Sequence, residues 1–355
     1  MSESRAARAS ESVAGHVEPA PRDEQELEER ISRPPAALAA VLGRVPGDLI
    51  VLGAGGKMGP SLARMAKRAD PGRRVIAVSR WSDRRAADSL LSDGIETIGA
   101  DLLDPHALAT LPGAPNVVFM AGQKFGTSGS PATTWAMNAA VPAFAAERFA
   151  GARTVVFSTG NVYPLTSPAR GGSRESDPPA PVGEYAYSCL ARERIFAAAA
   201  GRHGTPVAIV RLNYAHDLRY GVLTDLAARI AAGQPVSLAM GYVNVIWQGD
   251  ANAFSLAALA HAGAPEPFVV NVAGPDTLRV ADLARALGTR LGVEPVLEGG
   301  EGADALLSDG SRMRSLLDHP LLPRDTLLDW VAEWVRGGGR LLGKPTNFER
   351  RDGRF

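Results

Sequence analysis

The sequence predicts a doubly wound α/β fold, a parallel sheet with helices on both faces, followed by a smaller C-terminal α/β lobe. Three observations predict it. Short β-branched runs recur at Leu49-Ile50-Val51-Leu52, Val75-Ile76-Ala77-Val78, Val117-Val118-Phe119-Met120, Val155-Val156-Phe157 and Val207-Ala208-Ile209-Val210. They alternate with longer stretches rich in Ala, Leu and Arg, which is the rhythm of βαβ units. The runs are apolar throughout instead of alternating, as expected for strands that helices cover on both sides.

Composition narrows the function classes. A chain of 355 residues with 45% hydrophobic content can bury a large core. Basic and acidic residues both number 38, so no overall positive field exists to attract nucleic acid or an anionic membrane. The single cysteine, Cys189, leaves no intrachain disulfide and no multi-cysteine zinc site, which suits the cytoplasm. No apolar stretch resembles a signal peptide or a membrane span. The histidines show no ligand spacing and no Gly-x-Ser-x-Gly elbow occurs, so neither a metal nor a hydrolase site is expected.

Along the chain, residues 1–25 are polar and charged and are expected to form a flexible arm. Residues 26–47 have helical spacing interrupted at Pro34 and Pro35, a helical lead-in to the first strand. Residues 48–213 carry the βαβ rhythm. From 214 to 345 it loosens into helices at about 219–232, 250–262, 279–291 and 325–336, with short strands such as Phe268 to Val272. This part is read as a second lobe interleaved with the first.

The strongest motif is Gly53-Ala54-Gly55-Gly56-Lys57-Met58-Gly59, placed between the first strand and a helix. Glycines allow a tight turn and a close approach of the backbone to a pyrophosphate, whose charge then faces the open N–H groups and positive end of the helix. Gly53, Gly56 and Gly59 satisfy G-x-x-G-x-x-G, whereas in G-x-G-x-x-G the third glycine falls on Met58. After the second strand, Ser79-Arg80 stands where an NAD site usually places an acid. A guanidinium suits a 2′-phosphate, so NADP is favoured over NAD.

These residues resemble the extended short-chain dehydrogenase/reductase family, also called the NAD-dependent epimerase/dehydratase family, over about 48–340. Asp101-Leu102 resembles its adenine-contacting turn, Ala121-Gly122-Gln123 its nicotinamide-side turn, and Asn138 the asparagine of the following helix. Ser158-Thr159 looks like its strand-five ending, and Tyr185 to Arg194 the helix that bears its Tyr-x-x-x-Lys pair. Val245 to Asp250 and Val270 to Gly274 echo segments of its second lobe, where substrate binds. The resemblance implies a Rossmann domain and hydride transfer at a carbinol carbon, with Tyr185 as base and Ser158 or Thr159 as hydroxyl donor. Tyr187 is a weaker rival to Tyr185. The family also leaves room for a homodimer.

Two departures matter. The family lysine, which holds the nicotinamide ribose and lowers the tyrosine pKa, aligns with Cys189. Bringing a phenol from ~10 to near 7 takes about 4 kcal/mol of selective phenolate stabilisation. Lys124, at the end of the fourth strand, is the sequence candidate to supply the charge; its alternative is an exposed loop lysine. The segment Ala239 to Asn244 also lacks the basic residue with which nucleotide-sugar members grip a diphosphate. A smaller carbohydrate-like substrate is therefore expected, lined by Asn161, Tyr163, Asn213, Tyr214 and Trp247. The rival reading is a dinucleotide-binding sensor or partner subunit with little or no catalysis.

Overall fold

The computed structural model describes residues 18–354 except 125, 127 and 128. Strands β1 (Leu49–Leu52), β2 (Val75–Ser79), β3 (Glu96–Gly99), β4 (Asn116–Phe119), β5 (Arg153–Thr159) and β6 (Val207–Leu212) form one sheet with the later strand Phe268–Val272. From one edge the order is Phe268–Val272, β6, β5, β4, β1, β2, β3, and every adjacent pair is parallel. The chain builds outward from β1 to β3, then returns to β4 and builds the other way. That reversal opens a crevice beyond the carboxyl ends of β1 and β4.

The continuous apolar runs have a direct structural cause. On β1, Leu49 and Val51 face a core that includes Leu62 and Met65 of the helix Gly59–Ala69 and Phe254 of the helix Gln248–Ala257. Ile50 and Leu52 face the opposite core, with Val141 and Ala145 of the helix Val141–Arg148 and Phe196 and Ala199 of the helix Gly183–His203. Because neighbours along a strand point to opposite faces, a sheet covered twice needs apolar residues at every position. A third core joins the helices Val222–Ala231, Val280–Leu291 and Arg324–Arg336 into the second lobe.

The structure moves two boundaries. Phe268–Val272, expected among the short strands of the second lobe, extends the main sheet, with Val270 opposite Val210. The two lobes are thus interleaved through the chain. Of the arm expected over residues 1–25, residues 1–17 lie outside the described residues, whereas the chain is docked from Glu18 onward. Trp330 donates its indole N–H to the Glu18 carbonyl at 2.9 Å, Ala20 is buried, and Asp23 caps the helix Glu24–Ile31. Pro34 and Pro35 separate that helix from Ala36–Gly43, as their missing N–H groups require. Among the described residues no helix is long and apolar enough to cross a membrane.

Candidate active site

A cavity of about 700 Å³ occupies the crevice. The glycine loop forms one side, Met120 and Gly122 lie beneath, and Asn213, Tyr214 and Tyr220 close the side toward the second lobe. Leu342, Lys344 and Thr346 of the C-terminal segment also line it. Gly53 has φ +90°, and a Cβ there would fall 2.6 Å from the Ala121 nitrogen, so only glycine lets the loop cross the end of β4. At Gly56 a Cβ would meet nothing nearer than the Gly53 carbonyl at 3.5 Å, so this position opens onto the cavity. Met58 caps the helix Gly59–Ala69 without a side-chain hydrogen bond, and the first N–H groups of that helix are left for a ligand. The volume matches sites for ligands from drug to cofactor size, about 300–1,000 Å³.

Lys57 rises from the loop across the cavity. Its ammonium donates to the Ala215 carbonyl at 3.1 Å and sits 4.2 Å from the centre of the Tyr220 ring. Burial pushes its pKa down to about 8, against the pull of Asp217. At the end of β2, Ser79 packs against Gly55 and Arg80 is exposed. Trp81 turns inward at φ +50° and donates its indole N–H to the Ile98 carbonyl at 2.9 Å. Asp83 lines the cavity, although the sequence pattern gave no reason to single it out; it accepts from the Arg85 backbone at 3.0 Å and pairs with the Arg85 side chain.

Tyr185, Ser158, Thr159 and Lys124 meet on the wall beyond β4 and β5. Thr159 and Cys189 lie beside the Tyr185 hydroxyl. Burial raises its pKa well above that of an ordinary phenol, with the Arg192 charge acting in the other direction. Cys189 is fully buried behind it, and burial raises the thiol pKa too. Burial lowers Lys124 to about 8. Tyr187 is 54% exposed, away from this group. Thr159 donates to Asn161 Oδ1 at 3.1 Å, and Asn161 also lines the cavity. Ser158 donates at 2.5 Å to Glu193, so its proton is committed to a carboxylate.

Several other sequence candidates lie elsewhere. Asn138 is buried behind the nicotinamide-side turn: it accepts from the Gln123 backbone N–H at 2.8 Å, donates back to the Gln123 carbonyl at 2.9 Å, and accepts from Arg192 at 2.7 Å. It holds Ala121-Gly122-Gln123 from the rear. Asp101 turns its carboxylate onto the Leu103 N–H, and Leu102 is buried; neither is on the cavity wall. Tyr163 directs its hydroxyl inward, donating to Asn271 and accepting from Arg211 at 2.7 Å, and it lines a smaller cavity beside the main one. Trp247 packs edge-on against Trp330 with ring centres 5.5 Å apart, inside the second-lobe core. Asn213 and Tyr214 do reach the cavity.

The sequence reading missed the buried ionic floor. Glu193 and Arg211 pair at 2.7 Å and link Ser158 on β5 to Tyr163 and to Asn271 on the edge strand. Partners on a helix and a strand have no fixed spacing, so only the fold reveals them. Arg192 was more accessible, since it lies seven residues after Tyr185 and three after Cys189, on their helix face. Among the described residues no group of side chains could hold a metal.

A parallel sheet whose reversal point carries a glycine loop, an open helix terminus and a facing tyrosine defines the class of nicotinamide-dinucleotide enzymes. Within it, the chain belongs to the NAD dependent epimerase/dehydratase family, whose model matches residues 49–273. Members of that family are enzymes. Solved structures share the fold. MoeE5, in a complex with UDP-glucose and NAD, is 20% identical, with a TM-score of 0.65, and the match covers 82% of this chain and 99% of that one. The UDP-Glc/GlcNAc 4-epimerase from Campylobacter jejuni is also 20% identical, with a TM-score of 0.68 and the same coverage. The UDP-glucuronic acid 4-epimerase from Bacillus cereus, in complex with NAD, is 17% identical with a TM-score of 0.66 over 81% of this chain and 99% of that one. Comparison with curated protein sequences finds no match.

Proposed function

We propose that the protein catalyses hydride transfer at a hydroxyl or keto carbon of a carbohydrate-like small molecule, as an oxidoreductase or within an epimerisation. The observation that carries this reading is that Tyr185 and Thr159 share one cavity wall with the glycine loop opposite them. The bound nicotinamide supplies the hydride acceptor and donor. Gly56 and the N–H groups of Gly59 and Ser61 would hold the pyrophosphate, with Lys57 turning from the Ala215 carbonyl toward it. Ser79 and Arg80 favour a 2′-phosphate, and thus NADP. Asp83, the acid on this wall, is already engaged by Arg85 and the helix N–H. The complexes of the structural neighbours with NAD support the nicotinamide cofactor itself, and their UDP-sugars support a carbohydrate substrate.

The residues divide the proton work. With its pKa raised, Tyr185 is a firmly protonated phenol, suited to give a proton to a substrate carbonyl oxygen as hydride arrives, and to take it back in reverse. Thr159, on the same wall, would donate to the reacting oxygen if its hydroxyl turned from Asn161 Oδ1. Ser158, tied to Glu193, fixes the strand end from below. Arg192 is the cation that opposes the effect of burial on Tyr185, and Lys124, on the same wall, would be a second one now that Cys189 stands in the lysine position. Tyr185→Phe tests the assignment: turnover should fall at least a hundredfold, roughly the contribution of a positioned acid or base, with dinucleotide affinity nearly unchanged. Undiminished turnover in that variant would remove Tyr185 from the mechanism.

The sensor reading retains one supporting observation, the buried neutral thiol at the lysine position. It expects tight dinucleotide binding with no turnover on any sugar or polyol, and a change of partner or assembly on binding.

A further inference from the structure

Next to the large cavity lies an annex of about 50 Å³. Lys124, Asn161 and Tyr214 belong to the walls of both, so the annex adjoins the cavity whose wall carries Tyr185. Apolar side chains including Leu165, Val182 and Met240 form part of its wall. The C-terminal segment forms another part through Phe348, Arg350 and Arg351. That segment is anchored on the second lobe. Thr346 gives its backbone N–H and hydroxyl to Asp225 at 2.7 and 2.6 Å, Phe348 is buried, and Glu349 pairs with Arg229 at 3.0 Å.

Charge and size together define what fits. Arg351 is answered by Asp304, whose carboxylate and carbonyl it engages. Arg350 forms no ion pair among the described residues; its guanidinium donates to the Arg354 carbonyl at 3.3 Å. Lys124 brings a second cation to the same small space. Among the described residues no carboxylate side chain is on the annex wall. At about 10–15 Å³ per water by the same measure, the annex holds roughly four waters, the size of a carboxylate or a phosphate group. A nucleoside diphosphate is a drug-sized ligand and needs a few hundred Å³. The annex, at about 50 Å³, is too small for one.

We propose that the substrate carries a small oxoanion, a carboxylate or a phosphate monoester, which seats in the annex between Lys124 and Arg350 while its carbinol reaches Tyr185. This rests on the hydride-transfer reading and narrows its substrate class to sugar acids or sugar phosphates, in contrast to the nucleotide sugars of the structural neighbours. Arg350 is the specificity-determining residue, since it is exposed, on the tail and remote from the proton chemistry.

Calorimetric titration of the full-length, NADPH-loaded protein in phosphate-free buffer tests it, with glucose, glucuronate, galacturonate, glucose phosphate, galactose phosphate and UDP-glucose as probes. At least one sugar acid or sugar phosphate should bind ten times more tightly than glucose, and which group does so separates carboxylate from phosphate. Arg350→Gln should weaken that binding about ten- to a hundredfold while leaving glucose unchanged, the effect of losing a charge-assisted contact. Equal binding of glucose and the anions, tightest binding of UDP-glucose, no binding of any probe, or indifference to Arg350→Gln would each overturn the proposal. Because these are binding measurements, anion binding without turnover would sink the hydride-transfer reading alone, whereas turnover restricted to neutral sugars would sink only this one.

Discussion

At position 56 the absence of a side chain is itself a binding feature, because a Cβ would enter the cavity without meeting protein. Gly56→Val should therefore fold normally and lose dinucleotide binding, since the branched side chain occupies the phosphate position. Circular dichroism and fluorescence titration with both dinucleotides check this, and the unaltered protein should bind NADP more tightly than NAD. Unchanged affinity in a folded variant would reduce the loop to a turn. Lys57 gives the site a pH dependence. Its pKa of about 8 means that the ammonium is charged below that pH and neutral above it, so affinity for the anionic dinucleotide should decline as pH rises through 8. Lys57→Met should bind more weakly at neutral pH and show a shallower decline; an identical profile would mean that Lys57 stays on the Ala215 carbonyl. The glycines, Tyr185 and Thr159 were legible because their motif spacing is local. Asn138 and Trp247 were assigned to ligand contacts by motif position, but their side chains point into packed interior, a matter of tertiary direction that spacing does not carry.

Individual elements were legible to the extent that burial writes itself into the sequence. The strands β1, β2, β4, β5 and β6 are covered twice and read as apolar runs, whereas the half-exposed edge strand β3 does not, and the helices of the second lobe appeared within a few residues of their bounds. The membership of Phe268–Val272 in the main sheet was not legible, because an edge strand that returns from a distant part of the chain looks locally like any short strand. The ion pair that fastens β5, β6 and the helix Gly183–His203 was hidden for the same reason. Glu193 and Arg211 are 5% and 7% exposed at their side chains. Glu193→Ala should cost about 3–5 kcal/mol, because it strands a buried guanidinium and frees the Ser158 hydroxyl. Urea unfolding midpoints measure the loss, and a Glu193→Leu, Arg211→Met double variant should recover part of it. A single variant as stable as the parent would show that the pair is dispensable.

On the scale of the whole molecule, the active cavity is a joint product of three distant stretches of chain. The sheet domain supplies the glycine loop and Tyr185, the second lobe supplies Tyr214 and Tyr220, and the C-terminal segment lays Lys344 and Thr346 along the opening and Arg350 along the annex. The family match ends at residue 273, so the segment that finishes the site lies outside the part of the sequence that identified the class. Its role followed only from where the fold carries it.

The central claim is that Tyr185 serves hydride transfer between a bound nicotinamide and a sugar carbon. Single-turnover mixing of the oxidised-cofactor complex with hexoses, hexuronates and hexose phosphates, followed by nicotinamide absorbance, tests it most directly. The account predicts reduction of the nicotinamide with at least one of the anionic sugars, and at most a hundredth of that rate in Tyr185→Phe despite full cofactor occupancy. A fully loaded protein in which no sugar reduces the nicotinamide, or a Tyr185→Phe variant that reduces it as fast as the parent, would contradict the account.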